Sequence, residues 1–479
     1  MIYLTGALAV AYIVCIALAR GSSAAMTRAW AIAIIAPCWI GTQIASAEID
    51  LRLIASAVAL VCLFLVRDRT LPLRPTWSDL AAAALVVVQL GSEYHNGGFG
   101  LKALFQVVSQ WGLPYLFGRL LFRDPTELRR MQPVVGALCL ALSLWVISES
   151  ISGVNAVNRA LNHTGSGQSE HERRWGLRRA EGPTSHPIFC GLLLVSLFPW
   201  TLHASQMARD GDGPTWWRAL PWLQGMATCC TMSRGPQAAL VASAAAVAFI
   251  RWPRVRIPAV VGIASLAILA TAGRGMLVDV LHSWSKESVT PNFHVVIAGK
   301  EYEYTGTSHR VLQFLVFREA LAAAGLLGYG VESVSARPLL VPNVEPHLLI
   351  SPFDSIDNHY IYFALAAGHL ALASFVMLGW LSAWGAWKLG RSGDSALRVF
   401  AAGLFSTQLA VMASLATVWF SDDFGFQWLF NAGLLASWRS YVAGQQRVPE
   451  VLQPLRRMRL VPGHPEIAPL ETDPQLASI

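Results

Sequence analysis

The chain has 479 residues, 54% of them hydrophobic and only 14% charged, with a net charge of +7. Soluble domains carry about 25% charged residues. At this length the deficit excludes a disordered chain, a nucleic-acid-binding module and an ordinary soluble enzyme, and leaves a protein whose main solvent is lipid. Mean hydropathy is +0.46.

Taken in chain order, apolar runs long enough to enter a bilayer fall at 2–19, 30–46, 53–66, 80–92, 103–118, 132–149, 187–203, 219–232, 235–250, 257–272, 358–387, 399–420 and 424–442. The pattern predicts an all-α, polytopic transmembrane bundle of about 12–13 spans. The first run lacks a positive leading segment and a small-residue cleavage site, so it is expected to be a retained helix. Cys15, Cys38, Cys62, Cys139, Cys190, Cys229 and Cys230 all lie in apolar runs and are expected to be free thiols. Five regions follow: N-terminal helices over 1–150, helices with Arg/His motifs over 151–272, a large extracytoplasmic loop over 273–357, C-terminal helices over 358–442, and a disordered cytoplasmic tail over 443–479.

Lys and Arg set the orientation. The odd-numbered short loops hold most of them, while the even-numbered short loops hold only Arg52, Lys102 and Arg234. Odd loops are therefore expected in the cytoplasm, and the two long loops, about 150–186 and 273–357, on the outer side. No inverted pair of Gly/Pro-broken helices stands out, and the helix interiors read as free of Asp, Glu, Lys and Arg. Transporters and ion-coupled pumps usually carry both features.

Four clusters sit at predicted helix ends on the outer face. Arg178-Arg179-Ala180-Glu181-Gly182-Pro183-Thr184-Ser185-His186-Pro187 leads into the seventh span. It is either a helix-entry turn with solvated arginines or an anion site built from guanidinium forks and helix N-terminal N–H groups. Ser233-Arg234-Gly235-Pro236 forms a tight outer turn, and Arg234 is the lone charge between Arg218 and Arg251. Such a charge either snorkels to the interface or marks a site, here an anion pocket at the new helix start. Residues 308–325 carry apolar residues at helical spacing around Arg310 and Arg318 and run into Gly325-Leu326-Leu327-Gly328-Tyr329-Gly330. They read as an amphipathic helix, either a cover over a lipid-facing pocket or a packing helix. Asp357-Asn358-His359 opens the eleventh span, as a cap or as the source of a general base. His369, deeper in that helix, is expected to hydrogen-bond to a neighbour. Asp422-Asp423 reads as a short outer turn, able to bind a divalent cation but in the usual case simply solvated.

In their order and spacing these clusters resemble the O-antigen ligase and O-antigen polymerase (Wzy-type) superfamily of bacterial membrane glycosyltransferases. The resemblance covers roughly 130–440. It rests on Arg179-x-x-Gly182 with His186-Pro187, Ser233-Arg234-Gly235, Ser308-x-Arg310 with Gly328-x-Gly330, and Asn358 with Gly368 ten residues on. Ligase-like members often carry His-Asn before that last glycine. Asp357-Asn358 stands here instead, with His359 next, which leans toward a polymerase-like member.

The resemblance implies a GT-C-like fold in the bacterial inner membrane with its active site on the periplasmic face. The implied donor is an undecaprenyl-diphosphate-linked oligosaccharide, and the acceptor is lipid A core or a growing glycan. Membrane lipid is a further partner and nucleic acid is not. No cofactor and no metal are implied. Arg178, Arg179, Arg234 and Arg310 would bind the diphosphate and Ser233 and Asn358 the substrate, with His186, Asp357 or His359 as the base. A transporter or flippase for a lipid-linked saccharide is the alternative.

Overall fold

In the computed structural model, helices occupy nearly every apolar run for which coordinates are described. The structure describes residues 2–37, 39–44, 47–66, 74–122, 125–161, 173–174, 176–257, 261, 265, 293–304, 308–337, 339–391 and 394–458. In the N-terminal half these are α1 (Ile2–Arg20), α2 (Ser22–Ile35), α3 (Leu51–Val66), α4 (Trp77–His95), α5 (Leu101–Val107), α6 (Leu113–Leu121), α7 (Pro125–Ser152) and the short α8 (Ala156–Ala160). A π-helical turn, Val108–Gly112, separates α5 from α6. Then come α9 (Pro187–Asp210), α10 (Leu220–Cys230) and α11 (Arg234–Arg251). The later loop carries α12 (Ser308–Val316), α13 (Arg318–Ala323), α14 (Val331–Ser335) and α15 (Pro346–Ile350), and the C-terminal bundle α16 (His359–Leu389), α17 (Ser395–Ser414) and α18 (Asp422–Met458).

Among the described residues, four helices are long and apolar enough to cross a membrane: Thr126–Ser152, Pro187–Asp210, His359–Leu389 and Ser395–Ser414. Leu8, Leu18, Phe64, Leu65, Trp222 and Trp380 are large apolar residues that stay more than half exposed. An apolar rim of this kind fits a lipid surround. The chain is thus mostly helical and membrane-associated.

Several expectations need correction. The run at 30–46 is not one span: α2 begins at Ser22 and ends at Ile35, and Gly41–Ile44 (β1) pairs antiparallel with Ala47–Asp50 (β2). Pro37 cannot supply a helical N–H, and Ala36 is already extended. Two more antiparallel hairpins, β3 (Arg173–Arg174) with β4 (Leu177–Arg178) and β5 (Phe293–Ile297) with β6 (Lys300–Tyr304), lie in the long loops, so the all-α description holds for the bundle alone. The expected helix at 308–325 divides at Phe317 into α12 and α13. The expected tail from 443 begins as the continuation of α18. Cys38, most of the run at 257–272 and residues 459–479 lie outside the described residues; the other cysteines are free.

Polar residues tie the bundle together at three levels. Arg119 on α6 pairs with Asp79 on α4 (Nε to Oδ1, 2.9 Å) and bonds Ser440 on α18 (3.0 Å). In mid-bundle, Trp30 donates to Gln427 (2.8 Å), Gln427 to Asn431 (2.9 Å), Trp200 to Asn431 (3.1 Å) and Asn431 to the Ser196 carbonyl (3.0 Å). Buried polar groups that are satisfied in this way specify one register. The opposite end from Arg119 gathers the starts of α3, α9, α16 and α18 and is called the polar end below.

Helix α16 is broken at Gly368, whose φ of 84° and ψ of 173° fall in a region that essentially only glycine enters. The segment 325–330 fills the break. The N–H groups of Tyr329 and Gly330 donate to the carbonyls of Leu365 (2.7 Å) and Ala366 (3.0 Å), and those of His369 and Leu370 to Gly325 (3.1 Å) and Leu326 (3.3 Å). Four backbone groups of α16 at the break are thereby paired again. A Cβ at Gly368 would lie 2.2 Å from the Leu326 carbonyl oxygen, and one at Gly328 2.6 Å from the Gly368 nitrogen. Gly368→Ala is therefore expected to cost about 3 kcal/mol or more. Thermal unfolding of the detergent-solubilised protein measures this, and an unchanged midpoint would refute the interlock. The break is a feature that the apolar run at 358–387 concealed.

Candidate functional site

The turn before α9 is pinned from below by Glu149, near the end of α7. Its carboxylate accepts the N–H groups of Glu181 (3.1 Å) and Gly182 (2.9 Å) and a bond from Asn155 (3.0 Å). Gly182 makes the turn with φ of 58°. Thr184 Oγ1 closes it on the Glu181 carbonyl (2.8 Å). Arg178 is committed to the same support, donating to the Gly153 carbonyl (2.8 Å) and lying 3.9 Å from Glu149.

Arg179, buried, reaches the turn between α10 and α11. Its Nη2 donates to Ser233 Oγ (3.3 Å), and Ser233 donates to the Thr231 carbonyl (3.1 Å). Ala180 N–H bonds the Cys230 carbonyl (3.2 Å), and Arg174 Nη1 the Met232 carbonyl (3.1 Å). Burial lowers the Arg179 pKa; Glu181 opposes this, and the positive Arg234 adds to it. Arg179, Ser233 and Arg234 are thus one cluster, at the N-terminus of α11, where helix N–H groups favour anions.

His186 stands beside it. Burial pulls its imidazole down to about 4, Arg179 pulls the same way and Asp423 opposes. Its Nδ1 accepts the Ile188 N–H (3.1 Å), capping α9. A neutral ring with Nδ1 so engaged carries its proton on Nε2, which offers a donor where the sequence suggested a base.

Asp423 is the residue that sequence reasoning misjudged. It is not a solvated turn carboxylate. Its Oδ1 pairs with Arg52 Nη2 at 2.8 Å, both side chains being buried, and its Oδ2 accepts Ser185 N–H (3.0 Å) and Oγ (2.7 Å). One carboxylate therefore joins the starts of α3, α9 and α18 and sets the Arg179 turn beside them.

The remaining candidates make contacts of their own. Asn358 is fully buried and structural in its bonds: Oδ1 caps Tyr360 (2.9 Å) and Ile361 (3.2 Å), and Nδ2 donates to the Ala416 carbonyl (2.8 Å). Asn358→Ala is expected to cost about 1–3 kcal/mol, read as a lower thermal midpoint; a variant as stable as the parent would contradict that role. Asp357 is half exposed and lies 3.9 Å from His309 Nε2. Arg310 belongs to that group, its charge acting on His309. His369 Nε2 bonds the Leu321 carbonyl (2.9 Å), as a neighbour-binding histidine should. The 308–325 region packs inward through Leu312, Val316, Phe317 and Ala320, and keeps Val311 and Phe314 outside. His359 is buried among Trp111, Phe363, Phe375 and Phe420.

A cavity of about 820 Å³ opens at the polar end, with Arg52, Ser185, Asp422, Asp423 and His359 in its wall. Among the described residues no three His, Cys, Asp or Glu converge as metal ligands. No family model and no curated protein matches the chain.

Proposed function

We propose that the protein is a membrane glycosyltransferase of the O-antigen ligase/polymerase kind. It moves a saccharide from an undecaprenyl-diphosphate donor to a glycan or lipid acceptor in surface polysaccharide synthesis. The observation that carries this reading is the proximity of Arg179 and Arg234, with Ser233 between them, at a helix N-terminus. Two like charges held close and partly desolvated cost free energy in the resting protein, and Glu181 offsets part of that cost at Arg179. The arrangement is favourable where an anion with several oxygens is to be received, because guanidinium pairs bidentately with phosphate. In the reaction the bond between the anomeric carbon and the diphosphate breaks and negative charge grows on the leaving oxygens. Donors fixed in a low-dielectric site stabilise that charge most in the transition state. His186, neutral and carrying its proton on Nε2, supplies a further donor beside them. The GT-C-like architecture and the periplasmic placement belong to this same proposal.

The test is direct. Purified protein given an undecaprenyl-diphosphate-linked oligosaccharide and an acceptor is expected to release free undecaprenyl diphosphate, followed by mass spectrometry. A second reading, a flippase, draws on the broken helix at Gly368, since discontinuous helices are common in transporters. Transfer of the lipid across a vesicle bilayer with no release would favour it. Glycan analysis of a deletion strain separates the two enzyme types: capped single units for a lost polymerase, unattached long chains for a lost ligase.

A further inference from the structure

The cavity at the polar end differs in chemistry from the arginine cluster beside it. Asp50 at the end of β2 and Asp422 at the start of α18 face it, and Gln110 from the π-helical turn stands with them. Trp111, from the same turn, stacks on Phe420 with centroids 4.8 Å apart and planes 13° from parallel. A π-helical turn is rare and often marks a functional site. Two buried polar groups in this wall have no hydrogen-bond partner among the described residues. They are both ring nitrogens of His359, which is 2% exposed, and the Trp111 Nε1, in a residue 3% exposed. The volume is in the range of pockets that enclose small-molecule ligands, roughly 300–1,000 Å³.

The charge sorts the ligand class. Asp423 is neutralised by Arg52. Around the rest of the wall Glu93, whose carboxylate accepts the Val331 N–H, and Glu332 face Lys102. Carboxylates outnumber cations, so a phosphate is repelled. Carboxylates and amides together suit a polyhydroxylated ring, whose O–H groups donate to the carboxylates, and Trp419, exposed in the same wall, suits its apolar face.

We propose that this cavity binds the acceptor saccharide and that Asp422 takes the proton from its attacking hydroxyl. The proposal rests on the transferase reading above. The acceptor oxygen attacks the donor's anomeric carbon and forms the new glycosidic bond. The old bond to the diphosphate breaks and its electron pair leaves on the diphosphate. The hydroxyl proton passes to the Asp422 carboxylate and from there to water. Asp422 suits the task by position: its carboxylate opens into the cavity while protein surrounds it, and it precedes the apolar run of α18. Burial raises it to about 7; Asp50 and Asp423 add to this, and Arg52 and a hydrogen bond from Gln110 oppose it. A base of this kind works when deprotonated, so the rate rises with pH through about 7.

Two measurements on the full-length protein in nanodiscs test it. In the first, tryptophan fluorescence is titrated with the methyl glycosides of galactose, N-acetylglucosamine and rhamnose. A saturable change with at least one is expected, weakened at least about tenfold in Asp422→Asn. No saturable change with any of the three, or unaltered binding in Asp422→Asn, overturns the saccharide site. In the second, release of undecaprenyl diphosphate is followed against pH. Asp422→Asn is expected to lose about 100-fold or more in rate, while undecaprenyl diphosphate itself still binds and Asp422→Glu recovers part of the rate. Gln110→Ala is expected to move the midpoint of the pH profile upward, because the lost bond favoured the charged carboxylate. Near-parental release by Asp422→Asn overturns the proton step. If the parent protein releases nothing, the transferase reading falls and takes the proton step with it, and the titration still decides the saccharide site.

Discussion

Asp423→Ala is expected to destabilise the protein by about 3–5 kcal/mol, the usual cost of removing one partner from a buried ion pair. Three contacts would go at once: the 2.8 Å pair with Arg52 and the two bonds from Ser185. The guanidinium of Arg52 would be left in the wall of the cavity without its carboxylate, and the entry to α9 would lose its tether. Thermal unfolding in detergent should show a midpoint lower by several degrees. Replacing the pair together, as Arg52→Met with Asp423→Leu, should recover much of the loss, since a buried ion pair is often no more stable than apolar residues of similar volume. An Asp423→Ala protein as stable as its parent would show that this contact does not hold the polar end together.

Arg234→Ala should lower the release of undecaprenyl diphosphate by about 100- to 1,000-fold, the range for removing one preorganised donor from a developing anion. Arg234 sits at the first position of α11, and the thermal midpoint of the variant, measured alongside, separates a lost donor from a lost fold. Arg234→Lys keeps the charge but loses the fork, so a partial defect is expected. Arg179→Ala should show a defect of similar size together with some loss of stability, since its side chain also holds Ser233. The double variant should be little worse than either single one, as for groups that act as a unit. Near-parental release from Arg234→Ala would remove that residue from the site.

What could be read from the sequence follows from what each signal depends on. Apolar runs report burial in lipid or in a core, so helices appear where the runs are, and even α10, only eleven residues long, was anticipated. The run at 30–46 failed because composition does not separate a short hairpin from a helix once Pro37 interrupts it. Clustering of Arg179, Ser233 and Arg234 was legible because Arg179 and Arg234 both stand in short polar turns at helix starts on the same face. The Arg52–Asp423 pair was not, since its members lie 371 residues apart on separate helices. A signal for the cavity was present and overlooked: Lys102, Gln106, Ser109 and Gln110 recur at helical spacing through an otherwise apolar run, a polar stripe on one face. Gly328 and Gly368 were noticed as a pattern, but their reason is spatial, since each leaves room for the other's backbone.

The break at Gly368 also divides α16 into pieces with different surroundings. From Leu370 onward the helix shows large apolar side chains to the outside, Met377 (52%) and Trp380 (60%) among them, whereas no large apolar residue of 359–367 is exposed. At 1.5 Å per residue, 369–389 measures about 31 Å, the thickness of a bilayer's hydrocarbon layer, and 359–367 only about 13 Å. The far piece alone therefore suffices as the crossing, and the near piece stands above the lipid tails, wrapped by protein. In the proposed reaction the cavity at the start of α16 then lies at headgroup height, where a water-soluble sugar and the head of a greasy carrier can come together without either leaving its own phase.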